Sequence, residues 1–313
     1  MAVIPRSPTR QRLPKWFKRS LAPAGTHAGH TNEVLKREKL TTVCEEATCP
    51  NQNECYSKKV AAFMLMGETC TRTCSFCDVN TKLLNLPPLD ETEPERVAKA
   101  VGELGLKFAV VTSVNRDDMP TGGAEHFAAT INAIREHNPD GLIEVLTPDF
   151  CGNWDALAVV CEARPDVFNH NMETIPRLYR TVRPQAEYNR SLEFLRRVKE
   201  FDPTIWTKSG IMVGLGETDD EIRWLMEDLR KQDVDIFTIG QYLRPSLQHH
   251  DVMRFVPPEE FGRYEQWGKE LGFSHVAAGP FVRSSYYAEA VLDGAAEHMT
   301  LPPSATRGSQ VEH

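Results

Sequence analysis

The chain has 313 residues, 41% hydrophobic and 26% charged, enough for one large domain or two ordinary ones with a core that needs no disulfide staples. No run reaches the roughly 18 apolar residues of a membrane span, and no basic–apolar–small signal peptide opens the sequence. The net charge of −8 is uneven: residues 1–32 hold six basic side chains and no acid, leaving 30 basic against 44 acidic groups in the body. An acidic body argues against a general nucleic-acid binder, whose phosphate contacts need clustered cations.

The basic arm (Arg6, Arg10, Arg12, Lys15, Lys18, Arg19) reads as a solvated, partly disordered tail. Other readings are a transit peptide or a grip on RNA, anionic lipid or an acidic protein. Residues 33–58 follow, with little apolar periodicity and three cysteines, Cys44, Cys49 and Cys55, spaced C-x4-C-x5-C. On spacing alone the pattern is only moderately specific for a structural zinc or an iron–sulfur site. From Ala61 onward, strand-like runs are expected at 61–66, 107–112, 142–147, 167–170, 205–213 and 236–243. Helices are expected between them near 93–104, 124–137, 153–163, 189–200 and 218–231, and after the last run near 258–271. Thr92 ahead of Pro94 and Glu95, and Thr218 three residues before Glu221, read as helix caps.

Strand and helix alternating six times predict parallel strands joined by right-handed crossovers, in a doubly wound sheet or a full or partial barrel. The barrel is favoured, because polar groups gather at strand ends: Gly67-Glu68, Thr112-Ser113, Asn169-His170-Asn171 and Gly214 to Glu217. The expected fold is therefore α/β, a partial (β/α)6 barrel over residues 59–272. An N-terminal arm and cysteine segment, 1–58, would precede it. A C-terminal extension, 273–313, would follow, with a disordered tail from about 290.

Six of the eight cysteines lie between Cys44 and Cys77. The second group, Cys70, Cys74 and Cys77, has C-x3-C-x2-C spacing on the loop after the first strand. Three soft thiolates can hold three irons of a cubane, leaving a fourth open to a reactant. A zinc site would need a fourth ligand that this loop does not offer. Cys151 and Cys161 read as ordinary small buried residues.

This spacing after the first strand resembles the radical S-adenosylmethionine (SAM) superfamily. With VCEEATCPNQNEC, TSVNRDDMPTGGAEHF, PDVFNHNMETIPRLY, GIMVGLGET, GQYLRP and Arg283-Ser284-Ser285-Tyr286, the sequence from about Leu13 to Ala290 is similar to the lipoyl synthase family. Tyr56 and Arg244 depart from the residues usual there, Trp and Gln.

The resemblance implies two [4Fe–4S] clusters and S-adenosylmethionine. Cys70, Cys74 and Cys77 would anchor the cluster that cleaves S-adenosylmethionine. Cys44, Cys49 and Cys55 would hold an auxiliary cluster that donates sulfur, completed by Ser285 or, less in keeping with the motif, Ser284. The implied reaction inserts sulfur at C6 and C8 of an octanoyl chain on a lysine of a lipoyl carrier domain, such as the glycine cleavage H protein or a 2-oxoacid dehydrogenase E2 subunit. Further implied partners are a ferredoxin- or flavodoxin-type electron donor and an iron–sulfur carrier that rebuilds the spent cluster. No nucleic-acid partner and no membrane span are expected. A bacterial cytoplasm is the expected location, a mitochondrial or plastid interior the alternative. A methylthiotransferase-like radical enzyme, or a non-enzymatic cluster scaffold or electron carrier, would also hold two clusters.

Individual positions have their own readings. Phe76 is core filler or, by the resemblance, a neighbour of the adenine. Glu144 stands between apolar Ile143 and Val145, where a buried carboxylate needs a partner such as ribose hydroxyls. Asn115 and Asp117 follow the second strand, as a solvated capping loop or as ligand contacts. Asn169 and His170 end the fourth strand, with His170 expected to touch ligand rather than act as a base. Arg183, Arg190 and Lys208 are the cations expected to meet the methionyl carboxylate or the substrate. The Gly214–Glu217 turn would allow close backbone approach to a ligand.

Overall fold

A computed structural model describes residues 12–17, 26–57, 60–81 and 86–285. Seven strands form one sheet in chain order: β1 (Ala62–Leu65), β4 (Phe108–Ser113), β5 (Leu142–Leu146), β6 (Val167–Asn169), β7 (Trp206–Val213), β8 (Ile236–Gln241) and β9 (His275–Gly279). Every neighbouring pair is parallel. Two short strands, β2 (Thr69–Cys70) and β3 (Asn80–Thr81), pair beside it. Unbroken sequential order is what right-handed crossovers give when a sheet curls around a barrel axis.

The crossover helices are α4 (Glu93–Leu104), α5 (Ala124–His137), α6 (Trp154–Glu162), α8 (Tyr188–Phe201) and α9 (Asp219–Lys231). A four-residue turn, α7 (Tyr179–Val182), precedes α8, and α10 (Pro258–Leu271) leads into β9. Each buries the stripe that its periodicity marks: on α4, Val97, Val101 and Leu104 are at most 1% exposed. The capping box at α9 forms as expected, with Thr218 and Glu221 bonding reciprocally. Thr92 does not cap α4; its hydroxyl donates instead to Asp90 Oδ1 at 2.6 Å.

The main sheet has one strand more than the six expected. β9, HVAAG, has only Val276 buried, and so offers no apolar run to read. The N-terminal segment is also more ordered than its composition suggests, with α1 (Thr26–Arg37), α2 (Val43–Glu46) and α3 (Gln52–Ser57). It joins the edge of β1 by an isolated antiparallel bridge between Thr42 and Phe63, and Met64 N–H donates to Thr41 O at 2.8 Å. An edge strand otherwise open to pairing is thereby covered. Tyr56, the departure from Trp, is 1% exposed, and its hydroxyl meets Thr42 Oγ1 at 2.7 Å.

Alternation puts one set of side chains on the concave face: Ala62 and Met64, Val110 and Thr112, Thr238 and Gly240 all line a single cavity. Gly240 has a steric duty there. A Cβ would sit 2.1 Å from Val282 O, so only glycine lets the 281–285 turn lie against β8. The tail from 290, Tyr286 and four of the six basic arm residues lie outside the described residues.

Candidate functional site

The cavity holds about 580 Å³ and is lined by Cys44 and Cys49 from the N-terminal segment, Cys70, Cys74 and Cys77 from the β2–β3 loop, and Ser284 and Ser285. Cys55 is half-buried on α3 and does not line it. Members of both cysteine groups and the serine turn, remote in sequence, thus face one space.

The β2–β3 loop is heavily tied. Cys70 Sγ accepts from Arg72 N–H at 3.4 Å, Asn115 N–H at 3.3 Å and Asn115 Nδ2 at 3.6 Å. Hydrogen bonds to sulfur are among the groups that tune a cluster's potential. Ser75 N–H donates to Val182 O and His250 N–H to Ser75 O, both at 2.8 Å, which fixes the loop between its second and third cysteines. Burial pushes the thiols up, Cys44 and Cys74 to about 11 and Cys77 to about 12. Binding iron there must release protons, so loading weakens as pH falls.

Among the described residues, no three His, Cys, Asp or Glu side chains converge as a single-ion site requires. A cubane spreads its thiolates over separate corner irons and does not ask for that convergence, and Cys70, Cys74 and Cys77 all line the cavity. Polar atoms support a further ligand. Asn115 Oδ1, Thr147 Oγ1, Asn171 Oδ1 and Arg183 Nε are buried without a partner, and all four residues line the cavity. Orphaned donors and acceptors on one wall fit a polar, charged cofactor such as S-adenosylmethionine.

Of the nine residues expected to contact cofactor or substrate, four line the cavity: Phe76, Asn115, His170 and Arg183. Arg183, 7% exposed, is anchored by Nη1 to Asn171 O at 2.7 Å and Met172 O at 3.0 Å, with Nε left without a partner. His170 is 2% exposed and has both ring nitrogens engaged. Nδ1 meets the Thr147 carbonyl at 2.9 Å, which can only accept; Nε2 therefore accepts from the Ser191 hydroxyl at 2.9 Å. Burial, then the charge of Arg183, push His170 down to about 4.

Unfolded, His170 takes a proton below its ordinary 6.5, whereas folded it stays neutral to about 4. Stability contributed above 6.5 is lost as pH falls through that window, about 2 kcal/mol between pH 7 and pH 5. Urea unfolding of wild type and His170→Gln at the two pH values checks this. Equal losses in both would exclude His170 as the source.

The other five meet partners elsewhere. Lys208 Nζ donates to both oxygens of Glu144 at 2.8 and 3.0 Å, and Asn169 Nδ2 donates to Glu144 Oε1 at 2.8 Å. The carboxylate expected to seek ribose is thus already satisfied, one layer below Leu146, beneath the cavity. Asp117 accepts from Arg72 Nε at 2.7 Å and Nη2 at 2.9 Å. Arg190 pairs with Asp149 at 2.7 Å and Glu187 at 2.8 Å. The Gly214–Glu217 turn is filled from within, Leu215 N–H donating to Glu217 Oε2 at 2.9 Å. Cys161 is fully buried as expected, but Cys151 is exposed, at a left-handed φ of 53°. It donates to Asp117 Oδ1 at 3.3 Å and so belongs to the Arg72 network rather than the core.

Arg72 itself escaped the sequence reading. It is 3% exposed and also pairs with Asp149 at 2.5 Å. Burial opposes ionisation of Asp149, yet the Arg72 charge outweighs it and holds the carboxyl far below its ordinary range. A cation between two closely spaced cysteines was the available signal. Glu173 was missed as well: it lines the cavity at a left-handed φ of 63°, and burial raises its carboxyl against the opposing Arg183 charge. The auxiliary segment meets the serine turn through Asn51, 1% exposed, whose Nδ2 donates to Phe281 O at 2.7 Å.

The comparisons agree with this geometry. Residues 64–229 match the profile of the Radical SAM superfamily. The chain is 54% identical over 281 residues to the lipoyl synthase of Caldanaerobacter subterraneus subsp. tengcongensis, covering 90% of this chain and 97% of that one. It is 55% identical over 279 residues to the lipoyl synthase of Rubrobacter xylanophilus, covering 89% and 86%. Streptococcus suis SuiB bound to S-adenosylmethionine superposes with a TM-score of 0.51 at 12% identity, over 70% of this chain and 51% of that one. The chain spans about half of SuiB's length, and the likeness is one of fold.

Proposed function

The chain belongs to the lipoyl synthase family of the Radical SAM superfamily, and from that premise we propose how its residues divide the work. It is a radical SAM sulfurtransferase that uses two [4Fe–4S] clusters and S-adenosylmethionine. Its substrate is an octanoyl group on a lysine of a lipoyl carrier domain, and sulfur enters at C6 and C8. Bound at the cavity, the clusters and S-adenosylmethionine would supply reductive cleavage of the cofactor, a radical that abstracts hydrogen from the chain, and a source of sulfide.

Cys70, Cys74 and Cys77 hold the cluster that meets S-adenosylmethionine. Cys44, Cys49 and Cys55 hold the sulfur-donating one, with Ser285 as its fourth ligand. A serine oxygen is a harder donor than thiolate and the weakest bond of the set, which suits a cluster consumed in turnover. Arg183 offers its free Nε to the methionyl carboxylate, and Asn171 and Thr147 face the same ligand. Phe76 lies along the adenine. His170, neutral and doubly bonded, orients the wall and moves no proton. Asp117, Glu144, Asn169, Arg190 and Lys208 brace these groups from behind. The apolar surface of Met64, Val110 and Met212 receives the alkyl chain and keeps water out.

Residues 1–58, 59–272 and 273–313 divide accordingly into auxiliary segment, barrel and serine-bearing extension. The carriers are H protein and E2 domains, with a ferredoxin- or flavodoxin-type donor, an iron–sulfur carrier for rebuilding, and a bacterial cytoplasm as the setting. Among the described residues no helix is long and apolar enough to cross a membrane.

One observation carries the reading: five of the six clustered cysteines and the serine turn line a cavity whose wall also bears the unpaired polar atoms. The test is anaerobic reconstitution, iron and sulfide quantitation, and mass spectrometry of an octanoyl-lysine peptide. About eight irons per chain are expected, with two sulfur atoms added to the peptide. 5′-Deoxyadenosine without sulfur addition would point to another radical enzyme, and iron without 5′-deoxyadenosine to a scaffold.

A further inference from the structure

Two cluster sites must serve the same alkyl chain, so their separation has to be held. The auxiliary segment is pinned to the barrel at one end, where Thr41 and Thr42 meet β1. Beyond Cys49 it is held again by the Asn51 bond to Phe281 O on the serine turn. A further attachment lies between the two cysteine groups themselves. Thr48, directly before Cys49, donates its hydroxyl to Asp78 Oδ2 at 2.8 Å, and Asp78 directly follows Cys77. His249 Nε2 donates to Cys77 O at 3.0 Å and lies 3.7 Å from Asp78 Oδ1. Its Nδ1 is engaged by Ser246 Oγ at 2.9 Å. Three segments thus meet at Asp78, and both Thr48 and Asp78 line the cavity.

Thr48 also carries strain. Its φ is 49°, in the left-handed region where a β-branched residue is out of place and glycine would be at ease. Its hydroxyl is the feature that glycine would lack. Strain of this kind persists where the surroundings fix it and is a pointer to function.

We propose that Thr48 and Asp78 form a clasp that sets the separation of the two clusters, as positioning residues for sulfur transfer. The inference rests on the reading that both cysteine groups hold clusters. A displacement near 1 Å at a reacting centre can cost about a hundredfold in rate. Loosening the clasp should therefore spoil the hand-over from hydrogen abstraction to sulfur attachment while leaving abstraction intact.

The test uses the full chain, reconstituted, as wild type, Thr48→Val, Thr48→Ser, Thr48→Gly and Asp78→Ala. Thr48→Val and Asp78→Ala should keep both clusters, by iron and sulfide content. 5′-Deoxyadenosine released per sulfur inserted should rise about fivefold, the ratio that one hydrogen bond's net contribution corresponds to. The magnetic coupling between the two reduced clusters should spread over a wider range of distances. Thr48→Ser should match wild type in both readouts. Thr48→Gly should melt higher, because the strain is relieved, yet still show the raised ratio; a purely structural role would move both together and overturn the proposal. An unchanged ratio and coupling in fully loaded Thr48→Val would overturn it too, as would loss of the auxiliary cluster, which marks a cluster-holding role. Failure of wild type to load two clusters would instead refute the underlying site assignment.

Discussion

Replacing Cys74 by alanine will abolish 5′-deoxyadenosine formation, while replacing Cys49 by alanine will leave it and remove only sulfur insertion. The two thiols line the same cavity but sit on different elements, one on the β2–β3 loop and one between α2 and α3. The loop around Cys74 has no spare donor of its own: on the proposed assignment its other two thiols would each serve a separate iron, and Thr71, Thr73 and Ser75 are bonded to Asn115 O, Gln185 and Thr181 O. Changes one shell removed from a metal already cost 10- to 100-fold, so losing a direct ligand should lower cleavage by at least about a hundredfold. Iron should fall by about four per chain in each variant, as each cubane is lost separately. The measurements are 5′-deoxyadenosine, iron and peptide mass on the same anaerobic samples. Wild-type cleavage in Cys74→Ala would remove that cysteine from the radical-generating site, and a lipoylated product from Cys49→Ala would remove the other from the donor role.

What could be read in the sequence follows from the range of the forces involved. The six expected strands each appear within two residues of their expected starts, because a fully buried parallel strand must be written as a local apolar run. β9 lacks that run; it is held by pairing with β8 and by α10 packing, neither of which leaves a trace in HVAAG. The gathering of the cysteines at one cavity was legible for a different reason, since a short loop that carries thiols at close spacing must present them together. The buried polar networks were not. Glu144 and Lys208 lie 64 residues apart, and Arg72 and Asp117 lie 45 apart. A carboxylate on a strand announces that it needs a partner, but only the fold says whether that partner is a ligand or a lysine. Cys151 was misread similarly, because the left-handed turn that turns it outward is set by Asp149 and Arg72 around it.

Lys208→Ala should be the most destabilising single change in the barrel. Lys208 and Glu144 are each 1% exposed, and the ammonium lies 2.8 Å from its carboxylate partner. Truncating the lysine strands a buried carboxylate that Asn169 alone cannot neutralise, at a cost of about 3–5 kcal/mol. That is a large share of the about 5–15 kcal/mol that holds a typical domain folded. Replacing both partners together, Lys208→Met with Glu144→Leu, removes the desolvation penalty along with the attraction and should come out near neutral. Urea midpoints of the three proteins measure the difference, and a Lys208→Ala cost below about 1 kcal/mol would mean the pair is hydrated rather than buried. The folded double variant then decides what Glu144 is for. If the acid belongs to the barrel floor, as its bonds to Lys208 and Asn169 indicate, S-adenosylmethionine affinity will survive the exchange. If the ribose takes those bonds when the cofactor arrives, affinity will fall about tenfold or more, the loss of a charge-assisted hydrogen bond or two.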